Sequence, residues 1–145
     1  MSYHNGQYEQ ALELFRQAVE IDASFTEAHN NLGLTYTEMN QEDKATESFK
    51  KAIELNPDLG ATYNNLGYVF YRTGSYAEAI EMYNEAIGRS RDNSSAWTNL
   101  GNAYYKLDRT DEALDAWNKA VEIDPANEKA KRNLKRFHAE IGETE

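Results

Sequence analysis

One motif returns at a fixed interval along this chain, and that interval constrains the fold more than any other feature. Asn-Leu-Gly stands at 31–33, 65–67 and 99–101, and the degenerate Asn133-Leu134-Lys135 keeps the same phase. Other landmarks move in step: Tyr36, Phe70 and Tyr104; Ala45, Ala79 and Ala113; Phe49, Tyr83 and Trp117; Ala52, Ala86 and Ala120. Pro57 and Pro125 close two of the units. Periods of this size belong to solenoids, whose units bury their apolar faces only against their neighbours.

Each unit reads as two amphipathic helices, which makes the expected fold all-α. Over 26–59, His29, Leu32, Gly33 and Tyr36 share one face at three- and four-residue steps. A turn near Met39–Gln41 follows, and Ala45, Phe49, Ala52 and Ile53 then repeat the spacing. Asn56-Pro57 ends the second helix, because proline drives its predecessor out of the helical region. A glycine in mid-helix costs about 1 kcal/mol relative to alanine. Gly33, Gly67 and Gly101 at one phase therefore predict close approach of the paired helix, expected to come through its matching alanines. His29 stands where Tyr63 and Trp97 stand in later units, which predicts a packing residue rather than a ligand.

Charge separates the two kinds of helix. The net charge is −10. The second helices (7–23, 41–58, 75–93 and 109–127) hold 18 acidic and 8 basic residues, while the first helices and the tail from Glu128 nearly balance. The acidity reads as a solvated outer face, and the absence of a long basic stripe disfavours nucleic acid as a partner. No apolar run is long enough to span a bilayer, so membrane insertion is not expected. With no cysteine there is no disulfide, thiol catalysis or thiolate zinc site, and the expected location is a reducing compartment, the cytoplasm.

Nothing in the sequence supports an active site, a metal or a cofactor. His4, His29 and His138 fall in three different contexts. The pairs Glu42-Asp43 and Asp111-Glu112 open second helices, where carboxylates suit the helix dipole. Asn93-Ser94-Ser95 fits a glycosylation acceptor but reads as a loop between helices.

The order of large aromatic, Leu-Gly, Tyr, Ala, aromatic, Ala and Pro within each unit resembles the tetratricopeptide repeat. The resemblance implies antiparallel helix pairs stacked into a right-handed superhelix. It divides the chain into a partial repeat at 1–25 (second helix only), whole repeats at 26–59, 60–93 and 94–127, and a capping helix with tail at 128–145. In the first segment Gly6, Tyr8, Ala11, Phe15 and Ala18 align with a second helix and Tyr3 with Tyr71 and Tyr105. That leaves only the last turn of a first helix. The chain thus resembles a cut array, and Tyr8, Ala11, Leu12 and Phe15 are expected to form a sticky edge able to support homo-oligomers. In the cap, Lys131, Lys135 and His138 replace aromatic, glycine and aromatic.

The family binds ligands along its first helices, at the second, fifth, sixth, ninth, twelfth and thirteenth positions of a repeat. Carried onto this sequence, the sixth position gives Asn31, Asn65, Asn99 and Asn133, and the ninth gives Leu34, Tyr68 and Asn102. The twelfth gives Thr37, Tyr71 and Tyr105, the thirteenth Glu38, Arg72 and Lys106, and the cap adds Lys129, Arg132 and Arg136. A carboxamide offers one acceptor and two donors, so an asparagine in every unit can clamp the backbone of an extended peptide. This is similar to the asparagine ladder of O-linked N-acetylglucosamine transferases. Exposed groove amides are expected to contribute little to folding. The groove grades from acidic (Glu27, Glu38) through aromatic to basic, which suits a ligand with acidic residues.

The two-carboxylate clamp of chaperone-binding repeats is not matched. Its lysine–asparagine pair falls on Asn30 and Leu34, or on Asn64 and Tyr68, and only Asn65, or Asn99 with Lys129, fits the remainder. The expected function is a non-catalytic module that binds a peptide segment of another protein. The alternatives are a self-assembling scaffold and the repeat portion of a larger enzyme such as a glycosyltransferase. One junction breaks the pattern, with Gly88, Arg89 and Arg91 where other units have glutamate, an aliphatic residue and proline. That seam is expected to be loose.

Overall fold

The computed structural model describes residues 2–142, and every element in it is a helix: α1 Ser2–Ile21, α2 Thr26–Glu38, α3 Glu42–Leu55, α4 Gly60–Arg72, α5 Tyr76–Arg89, α6 Ser94–Lys106, α7 Thr110–Ile123 and α8 Glu128–Gly142. α2 pairs with α3, α4 with α5 and α6 with α7, and each pair stacks on the next as a right-handed superhelix. Residues 143–145 of the expected tail, and the Tyr3 and His4 side chains, lie outside what is described.

Within each pair the chain reverses through one left-handed residue: Asn40 (φ 57°), Gly74 (φ 81°) and Asp108 (φ 57°), each one period from the next. Asparagine and aspartate tolerate that region better than other non-glycine residues. Gly6 holds the same phase, but α1 runs straight through it. The first segment is therefore one helix of 20 residues, not a last turn followed by a second helix.

The glycines are points of close approach, but the approaching group is not alanine. A Cβ on Gly33 would lie 2.5 Å from the Phe49 ring, one on Gly67 2.7 Å from Tyr83, and one on Gly101 2.5 Å from Trp117. Each second helix thus seats its aromatic ring in the notch of its own first helix, and these three rings are buried. The alanines at 45, 79 and 113 and at 52, 86 and 120 are buried beside them, where a larger side chain would hold the helices apart.

His29, Tyr63 and Trp97 share a second device. Each sends its polar tip to the carbonyl six residues earlier, and the Tyr63 and Trp97 rings also join the buried clusters between units. His29 Nε2 meets Ala23 O at 3.0 Å, Tyr63 Oη meets Pro57 O at 2.9 Å, and Trp97 Nε1 meets Arg91 O at 3.2 Å. His29 keeps the polar contact of its register, while its ring is only half-buried.

One expectation is corrected. Tyr8, Ala11, Leu12 and Phe15 are half-buried, and Leu12 and Phe15 pack on the cluster around Leu32, Tyr36 and Phe49. The exposed apolar side chains of α1 are Leu14 (64% exposed) and Ile21 (88%). At the seam of 86–93, Arg89 engages the preceding repeat. Arg89 turns back instead of packing forward: its Nε donates to Pro57 O at 2.6 Å, its guanidinium lies 4.0 Å from the Tyr63 ring centre, and it pairs with Glu85. α5 is accordingly as long as α3 and α7. Arg89→Leu, which restores the aliphatic residue of the other units, is expected to lower the melting temperature, because it leaves the Pro57 carbonyl with one donor fewer and uncovers Tyr63. A higher melting temperature in a calorimetric scan would show that Arg89 contributes nothing to this junction.

Candidate peptide-binding groove

Curvature puts the first helices on the inside. α2 reaches α4 and α4 reaches α6, whereas successive second helices have no comparable contact with one another. The buried faces of α2, α4 and α6 point toward their partners, with Leu32, Leu66 and Leu100 at their centres. The stripe on the other side of each helix lines the concave surface.

Asn31, Asn65, Asn99 and Asn133 are half-buried along this stripe, and three of them are tied across repeats. Asn65 Nδ2 donates to Asn30 Oδ1 at 3.3 Å and Asn99 Nδ2 to Asn64 Oδ1 at 3.1 Å. Asn133 Nδ2 donates to Asn102 Oδ1 at 2.8 Å, since Thr98 stands where another asparagine acceptor is needed. Asn65 and Asn99 each keep one N–H and the Oδ1 for a ligand. Asn102 is more committed, because its Oδ1 also accepts from Trp117 Nε1 at 3.1 Å. Reading the sixth position alone misses Asn30 and Asn64, although both keep the spacing of the repeat.

The aromatic middle divides in the same way. Tyr68 is 44% exposed and Leu34, at the same register one repeat earlier, 41%. They are the large apolar side chains the concave stripe offers to a ligand. Tyr71 is half-buried, edge-on to Tyr76 at 5.4 Å, and burial pushes its phenol above the ordinary range while Arg136 acts the other way. Tyr105 is held by the cap: it donates to Glu140 Oε2 at 2.9 Å and meets the Phe137 ring at 6.4 Å. The bond to Glu140 raises its pKa.

Arg72 is not a free groove cation. Its guanidinium donates to Thr37 O at 2.9 Å and to Asn40, and lies 3.4 Å from Glu42, so it pins the turn of the preceding repeat. Thr37 is buried and donates to Gly33 O at 2.8 Å, which takes it out of the groove. Lys106, Lys129, Arg132 and Arg136 are exposed and form no ion pair among the described residues. The groove therefore ends in four cations with no acidic partner of their own. At the other end, Glu38 accepts a long contact from Tyr8 Oη at 3.4 Å.

The cap is joined to the third repeat through polar groups. Asn127 Nδ2 donates to Ser94 Oγ at 2.6 Å and to Thr98 Oγ1 at 2.9 Å, while its Oδ1 caps α8 by accepting from Ala130 N at 3.0 Å. Asn93, at the same register, caps α6 by accepting from Ala96 N at 3.0 Å. Its side chain thus serves as a helix cap. No group of three or more His, Asp or Glu that could hold a metal ion occurs among the described residues, and no helix there is long and apolar enough to cross a membrane.

Comparison with known proteins agrees with this architecture. Sequence models described as Tetratricopeptide repeat match residues 26–59 and 64–128, and one described as TPR repeat matches residues 1–40. No curated protein matches the sequence. Among solved structures, a crystal structure of MamA is 25% identical with a TM-score of 0.80, covering 88% of this chain and 75% of that one. The MamA RS-1 ArsTM double mutant is 21% identical at a TM-score of 0.81, covering 91% and 74%. The first TPR of Spaghetti (RPAP3), bound to the HSP90 peptide SRMEEVD, is 21% identical at 0.78, covering 83% and 96%. With its regular period, its notched helix pairs and matches that together cover residues 1–59 and 64–128, the chain belongs to the tetratricopeptide repeat family.

Proposed function

We propose that this chain is a protein-interaction module that holds an extended peptide segment of a partner along its concave face. The observation that carries the reading is one stripe on which Asn65 and Asn99 keep free amide valences, beside the exposed Leu34 and Tyr68 and ahead of the unpaired cations of α6 and α8. The amides bind peptide units whatever the side chains, Leu34 and Tyr68 offer apolar contact, and the cations favour acidic residues toward the cap. Tyrosine and arginine supply large contact areas in such interfaces. The carboxylate-clamp residues are not matched, so the acidic preference is one of field rather than of a dedicated carboxylate socket.

The test is Asn65→Ala with Asn99→Ala, comparing proteins captured from native lysate with those captured by the unaltered chain. Each substitution removes an inter-repeat hydrogen bond, so the pair is expected to cost about 1–2 kcal/mol of stability. That is more than an exposed amide would. Capture is expected to be lost at a temperature where both chains remain folded. Retained capture with the stability loss alone would make the asparagines structural and overturn the ladder.

A further inference from the structure

The convex surface carries a hollow that the repeat pattern does not call for. It is a trough of about 680 Å³ between α1 and α3, floored by His29, Leu32 and Tyr36 of α2 and walled by Arg16 and Val19 on one side and Lys44, Ser48 and Lys51 on the other. In the next repeat the same place is filled. Tyr63 replaces His29 and is covered by the Arg89 guanidinium, and Met82 replaces Ser48 and packs on the core. One repeat further, Trp97 stands in place of His29 and lines a different hollow of about 380 Å³ with Ile87, Arg91, Lys119 and Ile123. His29 in place of the larger Tyr63 or Trp97, together with Ser48 in place of Met82, leaves the trough open, although the third repeat also has a small residue, Ala116, at the second of these positions.

Charge departs from the pattern at the same place. Four of the eight basic residues of the second helices, Arg16, Lys44, Lys50 and Lys51, line this one trough, against Glu47 and Glu54. Lys44 stands where the later repeats have Glu78 and Glu112. Lys51 pairs with Glu54 at 3.1 Å and Lys44 lies 5.6 Å from the Tyr36 ring centre, while Arg16 and Lys50 have no ion pair among the described residues. On a protein of net charge −10, a positive rim around an apolar floor selects an anionic partner. The trough is open along its length and follows α3 from Lys44 to Glu54, about 15 Å or three helical turns. Its wall is a three- and four-residue ridge of the kind into which another helix packs.

We infer that the trough between α1 and α3 is a second interaction site, which takes an acidic amphipathic helix of a partner protein. The apolar face of that helix lies over Leu32 and Tyr36, and its carboxylates meet Arg16, Lys44, Lys50 and Lys51. This is helix-in-groove recognition, on the opposite face from the proposed peptide groove and independent of it.

The test uses a synthetic helical peptide of about three turns, with leucine along one face and glutamate elsewhere, and a control with lysine for every glutamate. Backbone amide shifts and fluorescence anisotropy are recorded. The acidic peptide is expected to shift residues around His29, Ser48 and Lys51 and to bind at least about tenfold more tightly than the lysine control. His29→Tyr with Ser48→Met, which copies the side chains at 63 and 82, fills the trough without disturbing the fold. Lys44→Glu with Lys51→Glu reverses its rim. Each pair is expected to weaken binding at least about tenfold, while Asn65→Ala with Asn99→Ala leaves it unchanged. The inference is overturned by equal affinity for the filled or reversed variant, by shifts confined to the concave stripe, or by no binding at millimolar peptide. Decanoate shifting the trough where the peptide does not would assign it to small anionic amphiphiles and overturn it equally.

Discussion

Tyr83→Ala is expected to destabilise the chain by about 3–5 kcal/mol, the range for removing a large aromatic side chain from a packed interior. Tyr83 is 1% exposed, fills the Gly67 notch and belongs to the cluster that joins α5 to Leu100 and Ala103 of α6. Because a solenoid repeat is stabilised only through its neighbours, loss at this position loosens both the α4–α5 pair and its contact with the next repeat. Gly67→Ala tests the same notch from the other side. In an ordinary helix that change stabilises by about 1 kcal/mol. Here the new Cβ would sit 2.7 Å from the Tyr83 ring and 3.2 Å from Met82 Cβ. Overpacking of about 1–3 kcal/mol is expected to reverse the sign. The two changes are coupled, so Gly67→Ala in a Tyr83→Leu background is expected to be neutral or stabilising. Denaturant unfolding of the four chains measures this cycle, and additive costs would mean that the notch and the ring do not share one contact.

Reversing the far end of the groove is expected to have the largest effect on binding. Arg132→Glu with Arg136→Glu replaces two unpaired cations beside Lys106 and Lys129 with two acids. For an extended peptide carrying three glutamates, affinity is expected to fall by about one to two orders of magnitude, or about 1.4–2.8 kcal/mol. Helicity should persist, because neither side chain is buried and neither forms an ion pair among the described residues. Raising the salt concentration should weaken the unaltered chain's binding much more than the variant's, since exposed charges are screened within about 10 Å at 0.1 M. Unchanged affinity with unchanged salt dependence would remove the acidic preference from the proposed function. Arg72→Glu provides an internal contrast. Its guanidinium is engaged with Thr37, Asn40 and Glu42, so the expected result is lost stability more than lost affinity.

The sequence by itself determined the helix pairs, the constant register between them and the notch at each glycine. All of these follow from three- and four-residue steps within a helix and from the constant interval between units, which a single strand of text records. Helical phase also put Asn31, Asn65, Asn99 and Tyr68 on the face of the first helices away from the packing side, and the family resemblance implied that this face lines the groove. Only the tertiary structure decided where long or polar side chains go once neighbouring repeats are in place. Asn65 reaches Asn30, Arg72 reaches Thr37 and Tyr105 reaches Glu140, each across 35 residues, and Arg89 reaches Pro57 across 32. Such contacts depend on rotamers and on which acceptors lie within reach, and periodicity carries neither. For this reason Arg72 left the groove, Arg89 turned back to Pro57 instead of packing forward, and the ring rather than the alanine filled each notch. The convex trough has the same origin. His29, Ser48 and Lys44 lie apart when read along the chain, and they become one site only because α1, α2 and α3 bring them to a common surface.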